Sequence, residues 1–291
     1  MYQNSYNYMR EIREAVEATS LARKKAGKEW GTLGYIVGEH WSGNDDIQAR
    51  TYSGSGLRSA FDFPSRYLMV QTLAQEESGK GGYGASNMVS LFKTPSEKGY
   101  SHELGYIYPN MFITNHDVWR FGNLIRSKYG YGQDNNDYWK RHKLAIACLA
   151  AYTGPITLYY GDEIGDIVDC WPNNCGGSVG TDNMARTNGQ IKDFNSNQQS
   201  LHDYTAKLMK IRNDHPACWR GNNNAYSSGD CVVDIKYDQT TSEKIVVIIN
   251  TGTSGQDVTV NQGTMKDLIS GSTSSGTVHI DGLTAGIYLV K

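Results

Sequence analysis

The chain has 291 residues, of which 38% are hydrophobic and 20% are charged, a composition typical of an ordinary globular protein. The formal net charge of −2 argues against a basic surface that would bind nucleic acid or anionic lipid. The longest apolar run, LAIACLAAYTGPITLYY, is interrupted by Thr-Gly-Pro and is too short to cross a membrane, so no membrane span is predicted. The N-terminal residues are polar and show no signal peptide.

Helical and strand patterns alternate along the first 213 residues. Apolar positions three to four residues apart predict helices, and short β-prone runs that end at Gly, Pro or polar residues predict strands. The predicted strands lie at 33–37, 59–63, 111–114 and 156–160. The predicted helical segments lie at 6–26, 65–77, 86–93, 137–152 and around Leu201, Tyr204, Leu208 and Ile211. This alternation implies an α/β fold with parallel strands and crossover helices.

The pattern changes after Pro216. The stretches CVVDIKYD, KIVVIINT, DVTV, TVHI and GIYLVK read as short alternating strands separated by Gly, Ser and Thr. They predict a small antiparallel β-sandwich domain. The expected domains are therefore a partial α/β barrel over 1–215 and an antiparallel β domain over 216–291.

Polar side chains follow three of the four predicted strands. Glu39 follows the first, His116 and Asp117 follow the third, and Asp162 and Glu163 follow the last. In parallel α/β folds the active site lies at the carboxyl ends of the strands. The sequence therefore predicts that these ends face a ligand, although Asp162 and Glu163 are better explained as architectural residues of a loop.

Three motifs carry a resemblance to a known family. GYIVGEHW, FITNHDVWR and GPITLYYGDEIG resemble, in this order, three successive signature regions of the α-amylase family of glycoside hydrolases. LMKIRNDHPACWRGN resembles the last barrel helix leading into the C-terminal β domain of that family. The resemblance covers nearly the whole chain. It implies the second half of a (β/α)₈ TIM barrel, strands five to eight, followed by a small antiparallel β-sandwich domain.

The resemblance also implies roles for individual residues. Glu39 matches the general acid/base of the family, and Asp117 matches the second carboxylate, which stabilises the transition state. His116 matches the histidine that hydrogen-bonds sugar hydroxyls, although a structural His116–Asp117 pair is the alternative. These residue types suit glycoside cleavage, which needs a carboxylic acid for the leaving oxygen and polar groups that bind more strongly as oxocarbenium charge develops.

Three further residues are candidates for sugar binding. Trp41, two residues after Glu39, offers an aromatic face for a sugar ring, with burial in the core as the alternative. Asp182 and Arg186 resemble a sugar-binding Asp/Arg pair after the eighth strand, and a surface salt bridge of little energetic value is the alternative.

One departure from the family pattern concerns the nucleophile. In the family it is an Asp in a Gly-x-Arg-x-Asp motif at the end of the fourth strand, and no such motif precedes Glu39. The upstream carboxylates Glu11, Glu14, Glu17 and Glu29 lie in or just after a predicted helix. Asp62 is rejected as a substitute because it is predicted to lie in the middle of a strand. The third-strand motif, whose Asn usually binds calcium, is also missing.

Two functions from different classes follow. The first is a retaining glycoside hydrolase that cleaves α-1,4-glucosidic bonds in starch-like glucans, with this chain a fragment that is inactive alone and needs the missing N-terminal barrel half. The second is a non-catalytic carbohydrate-binding or subunit relative. No cofactor or metal is evident in this chain, and the calcium dependence of the full-length enzyme stays open. An extracellular or periplasmic location is favoured for that enzyme. The choice between endo and exo action stays open, as does the choice between hydrolysis and transglycosylation.

The cysteines give two further expectations. Cys170 and Cys175 share one loop and could form a small disulfide or stay as thiols. Cys148 lies in an apolar helical stretch and is predicted to be a buried free thiol.

Overall fold

The computed structural model describes residues 2–3, 6–29, 35–43, 47, 57, 59–93, 109–168 and 185–291. The chain divides into two compact units. Unit 1 comprises Met1–Pro64 and Thr94–Asn110, and unit 2 comprises Ser65–Lys93 and Met111–Lys291. The predicted Cys170/Cys175 loop lies outside the described residues.

The helices match most of the sequence predictions. Short 3₁₀ turns at Ser78–Lys80, Val89–Phe92 and Asp162–Ile164 accompany them. In the described part of the chain, the α-helices are α1 (Tyr8–Lys25), α2 (Phe63–Leu73), α3 (Ala85–Met88), α4 (Phe121–Tyr129), α5 (Asn136–Ala151), α6 (Ser196–Asp214) and α7 (Pro216–Arg220). Of these, α4 and α7 were not predicted.

Unit 1 contains α1 and a minimal set of strand pairings. An antiparallel pair, β1 (Tyr2–Gln3) and β2 (Tyr6–Asn7), precedes α1. Further along, Gly38 pairs with Ala60 and Phe61 pairs with Asn110, both in the parallel sense. Among the described residues of the predicted strands 33–37 and 59–63, Ala60 and Phe61 form single parallel bridges and residues 35–37 form none; Gly38, which pairs with Ala60, lies just after the first range.

The position of Asp62 corrects the prediction that it lies in the middle of a strand. The parallel bridge ends at Phe61, and α2 begins at Phe63. The Asp62 amide donates to the Asn110 carbonyl at 2.8 Å, and the residue is buried. Asp62 therefore occupies a strand end, because Pro64 in the first turn of α2 ends the extended backbone earlier than expected. The prediction that Asp62 lies in the middle of a strand is therefore wrong.

In unit 2, β3 (Met111–Phe112) pairs in parallel with β4 (Ile156–Thr157). These two strands are the ones predicted at 111–114 and 156–160, each reduced to two residues. Helix α5 fills the core of this unit: most of its residues from Tyr138 to Ala151 are buried. Cys148 lies there as a fully buried free thiol, as predicted, and burial raises its pKa.

Two buried cations satisfy the carbonyl groups at the end of α5. Arg212 donates to the carbonyls of Ala150, at 2.9 Å, and of Tyr152, at 2.6 Å. Lys236 donates to the Ala151 carbonyl at 2.6 Å. The last carbonyls of a helix have no partner within the helix and carry partial negative charge, so cations stabilise this end. Because Lys236 lies on a strand of the C-terminal sheet, this contact also fixes the sheet to α5.

The C-terminal residues form the predicted antiparallel strands, but in one sheet rather than in the two sheets of the predicted β-sandwich. The strands are β5 (Asn222–Ser228), β6 (Cys231–Asp238), β7 (Glu243–Asn250), β8 (Gln256–Asp267), β9 (Thr273–Ile280) and β10 (Ala285–Val290). They make one sheet in the order β5-β6-β7-β10-β8-β9. One face packs against the helical core, and residues from β6 to β10 enclose a second apolar core on the other side. The domain boundary at 215/216 stays a prediction.

Candidate active site

The polar residues after β3 lie in a turn that Asn115 closes. The Asn115 Oδ1 atom accepts hydrogen bonds from the amides of Asp117, at 2.8 Å, and Val118, at 3.0 Å. An Asn side chain that bonds the backbone two residues ahead ends extended structure and stabilises a turn. The turn presents His116 and Asp117 to solvent, with side chains 53% and 35% exposed. This placement explains why a buried strand ends in three polar groups.

The carboxylate of Asp117 lies between two groups that can carry positive charge. His116 Nε2 is 3.1 Å from Asp117 Oδ2, and Arg186 Nη2 is 3.9 Å from Asp117 Oδ1. At this exposure the two contacts add little to folding stability. They do place a carboxylate, an imidazole and a guanidinium together at a strand end, where they can hydrogen-bond several hydroxyl groups of one ligand.

The sugar-binding role of Arg186 stays a prediction, and the structure places its guanidinium near Asp117. Its expected partner Asp182 lies outside the described residues, so the Asp182/Arg186 pair stays a prediction. The contact between Arg186 and Asp117 was not predicted. No sequence pattern indicates it, since 69 residues separate the two positions.

Glu39 and Trp41 belong to unit 1. Glu39 is exposed and follows Gly38, which pairs in parallel with Ala60. Trp41 is 61% exposed and stacks on Phe63, with ring centroids 4.9 Å apart and planes 9° from parallel. The alternative reading of Trp41 as a core residue is therefore wrong. The placement of Glu39 relative to Asp117 stays a prediction.

Arg120 is a buried residue of this region whose role the sequence did not indicate. It is fully buried, and its guanidinium carbon lies 4.8 Å from the centroid of the Tyr159 ring and 4.7 Å from that of the Tyr160 ring. Its Nη1 atom donates to the Tyr160 carbonyl, and its Nη2 atom donates to Thr187 Oγ1. Arg120 thus connects the segment after β3 with the residues that follow β4.

Asp162 is buried beside Arg120, and the nearest atoms of the two charged groups are 3.8 Å apart. Burial raises the pKa of Asp162 to about 7, against the opposing effect of the Arg120 guanidinium. The residue lies in the turn Asp162–Ile164 and is enclosed by protein. This placement agrees with the architectural role expected for Asp162.

The raised pKa of Asp162 predicts a pH dependence of stability. The folded state holds the proton more tightly than the unfolded chain, so the free energy of unfolding should fall as pH rises from about 4 to 7, by at most about 1.4 kcal/mol per pH unit. Asp162→Asn should remove this slope, because its amide does not titrate. Urea unfolding at pH 4, 5.5 and 7 measures the effect, with the exposed Asp203→Asn as the matched control. Parallel pH profiles for wild type and Asp162→Asn would contradict it.

Two further observations concern the described residues alone. They contain no group of three or more His, Cys, Asp or Glu side chains that could hold a metal ion. Among the helices they form, none is long and apolar enough to cross a bilayer.

The comparisons with known proteins agree with the fold and with these motifs. The family model described as "Alpha amylase, catalytic domain" matches residues 2–247. The chain therefore belongs to the α-amylase family, whose members are glycoside hydrolases. The predicted fold, the second half of a TIM barrel followed by an antiparallel β domain, is confirmed.

Several relatives show how much of a longer protein the chain matches. It is 28% identical over 198 residues to the Beta/alpha-amylase of Paenibacillus polymyxa, which is 68% of this chain and 14% of that protein. The crystal structure of AmyP in complex with maltose is 27% identical, with a TM-score of 0.80, and the match covers 98% of this chain and 62% of that one. An AmyP variant in complex with maltotriose gives 26% identity, a TM-score of 0.79 and the same coverage. The chain thus spans less than two thirds of these relatives.

Proposed function

We propose that the chain is part of a retaining glycoside hydrolase that cleaves α-1,4-glucosidic bonds in starch-like glucans. The observation that carries the proposal is the set of three groups at the end of β3, where Asp117 lies within 3.1 Å of His116 and 3.9 Å of Arg186. Membership of the α-amylase family supports it. The maltose and maltotriose complexes of the AmyP proteins support an α-glucan as the substrate class.

In this proposal each residue has a defined chemical role. Glu39 protonates the leaving glycosidic oxygen and then removes a proton from the attacking water. Asp117 binds sugar hydroxyls and stabilises the positive charge that develops on the ring. His116 and Arg186 donate hydrogen bonds to the same sugar, and the exposed face of Trp41 stacks on a sugar ring.

The attacking carboxylate must come from elsewhere. A retaining glycosidase uses two carboxyl groups about 5–5.5 Å apart, one as nucleophile and one as acid. We propose that the nucleophile is an Asp on an upstream barrel half that completes the enzyme. A calcium ion of the complete enzyme would belong with that half. A polymeric substrate favours an extracellular or periplasmic place of action.

A non-catalytic carbohydrate-binding or subunit relative is the second candidate. This candidate describes a chain that acts without an upstream half, since no Gly-x-Arg-x-Asp motif precedes Glu39 within the 291 residues. The presence of Glu39 argues for the enzyme, since a protein that only binds sugar does not need an acid for a leaving group.

The test is turnover of maltotetraose by the chain supplied with its upstream half, followed by proton NMR. Cellotetraose, which differs in the configuration of its linkage, is the matched control. Cleavage of maltotetraose alone is the expected result. Binding of maltotetraose without cleavage would favour the non-catalytic relative, and cleavage of cellotetraose would contradict the proposed substrate.

A further inference from the structure

Thr187, the residue after Arg186, is held in place from three sides. The Tyr160 hydroxyl donates to the Thr187 carbonyl at 2.9 Å and accepts from the Thr187 amide at 3.0 Å. The Thr187 hydroxyl donates to Asp166 Oδ2 at 2.5 Å and accepts from Arg120 Nη2 at 3.2 Å. We refer to Arg120, Tyr160, Asp166 and Thr187 as the Thr187 clamp.

Arg120 is the fixed member of the Thr187 clamp. Its side chain is completely buried, and its Nη2 atom lies 3.5 Å from Asp166 Oδ2, so one guanidinium contacts both the Thr187 hydroxyl group and the carboxylate to which that hydroxyl donates. Arg120 is also the N-cap residue of α4, three residues after Asp117, although its side chain makes no capping hydrogen bond. A guanidinium is planar and always charged, and it presents its donors in a rigid fork. Arg120 therefore joins the turn that carries Asp117 to the segment that carries Arg186.

Support from the adjacent backbone lowers the cost of keeping Arg186 near Asp117. Its side chain is 39% exposed, and the 3.9 Å separation from Asp117 is at the outer limit of an ion pair. Holding a long exposed side chain in one geometry costs conformational entropy that a screened ion pair hardly offsets. The hydrogen bonds of Thr187 fix the adjacent backbone, so only the Arg186 side chain remains to be ordered.

We propose that Arg120 is a positioning residue that acts through Thr187 to hold Arg186 beside Asp117 and so sets the affinity of this site for sugar. The inference rests on the proposed function for its effect on sugar. The geometric part, that the clamp orders residues 185–189, does not depend on which sugar binds. A purely structural role is the alternative, and it predicts no coupling between Thr187 and Arg186.

The functional test is a double-mutant cycle in the complete enzyme with maltotetraose. Thr187→Val removes the hydroxyl and keeps the shape, and Thr187→Ser, which keeps the hydroxyl, is the matched control. We expect Thr187→Val to lower kcat/KM about tenfold, mainly through KM, as for the loss of a charge-assisted hydrogen bond. In an Arg186→Ala background the same change should cost less than about twofold, and Thr187→Ser should behave like wild type. Equal losses in both backgrounds would overturn the inference.

The geometric test uses the 291-residue chain without sugar. Amide hydrogen exchange at 185–189 should become faster in Thr187→Val, and also in Arg120→Lys, which keeps the charge but loses the fork. Arg126→Lys on the same helix is the control, because Arg126 donates to the Val168 carbonyl instead. Exchange in β6 and β7 should not change in any folded variant. Unchanged exchange at 185–189 in Thr187→Val would overturn the inference.

The two tests separate this inference from the proposed function. Faster exchange at 185–189 without any turnover of maltotetraose by the wild type would reject the proposed function and leave the positioning role of Arg120 in place. Turnover of maltotetraose, with unchanged exchange at 185–189 and no coupling between Thr187 and Arg186, would support the proposed function and reject the positioning role of Arg120.

Discussion

Replacing Glu39 with Gln in the complete enzyme is expected to lower the hydrolysis of unactivated α-glucans by about 10²–10⁴-fold, the usual contribution of general acid–base catalysis. Gln keeps the size and hydrogen-bonding capacity of Glu, but it cannot donate a proton to the glycosidic oxygen. A sugar leaving group is a poor one and depends on that proton. The measurement is kcat/KM on maltotetraose for the wild type and Glu39→Gln.

A second substrate makes this prediction specific. An aryl glycoside with an activated leaving group needs little protonation, so Glu39→Gln should slow its cleavage much less. Glu29→Gln is the matched control, because Glu29 is an exposed carboxylate that has no proposed role. Equal losses on both substrates would argue against the acid role of Glu39.

The second large effect concerns the chain alone, which is expected to show no measurable hydrolysis of soluble starch. In the proposed mechanism Glu39 and Asp117 supply the proton donor and the stabiliser, while no Gly-x-Arg-x-Asp motif in the 291 residues supplies the attacking carboxylate. Catalytic residues that act as a unit are not additive, so removal of one abolishes most of the rate even when its partners stay in place. Adding the upstream half that carries the nucleophile should restore activity, whether it is joined to the chain or supplied separately.

The control for this experiment is the same upstream half with its nucleophilic Asp changed to Asn. It should complement the fold and still leave the enzyme inactive. Robust turnover by the 291 residues alone would show that a carboxylate within the chain has replaced the nucleophile. The Asp62→Asn variant would then be the first to assay, since Asp62 lies at a strand end.

The sequence predicted the long helices and the strands β6 to β10 well, and the lengths of the strands in the first 213 residues poorly. Helix α6 carries a repeating apolar face and a capping box in which the side chains of Asn195 and Gln198 each bond the other's backbone, and such local signals are readable. The short helix α4 was missed although Phe121, Leu124 and Ile125 have helical spacing, because Gly122 weakens the pattern. Close packing against Tyr138 requires glycine at position 122, because a Cβ there would lie 2.1 Å from the Tyr138 hydroxyl.

The lengths of the strands in the first 213 residues were overestimated for a different reason. An apolar run shows that a segment is buried, but it does not show where its neighbour stops pairing with it. β3 therefore covers two residues, whereas the buried run continues to Thr114.

For the candidate site, local chemistry was readable and distant contacts were not. His116 and Asp117 could be predicted because polar residues directly follow a buried run, and their exposure at a turn agrees with that reading. The link from Arg120 to Thr187 joins residues 67 positions apart, and neither carries a local pattern. Contacts of this kind depend on how the chain folds back on itself, which no short stretch of sequence encodes.

The most direct test of the account is the configuration of the first product. The chain with its upstream half is mixed with maltotetraose, and proton NMR records the anomeric signals of the new reducing ends before they mutarotate. A retaining α-glycosidase releases the α-anomer first, and the β-anomer grows in later. We predict this result, together with its loss in Glu39→Gln. Initial release of the β-anomer, or no cleavage of the α-1,4 bond in the completed protein, would contradict the account.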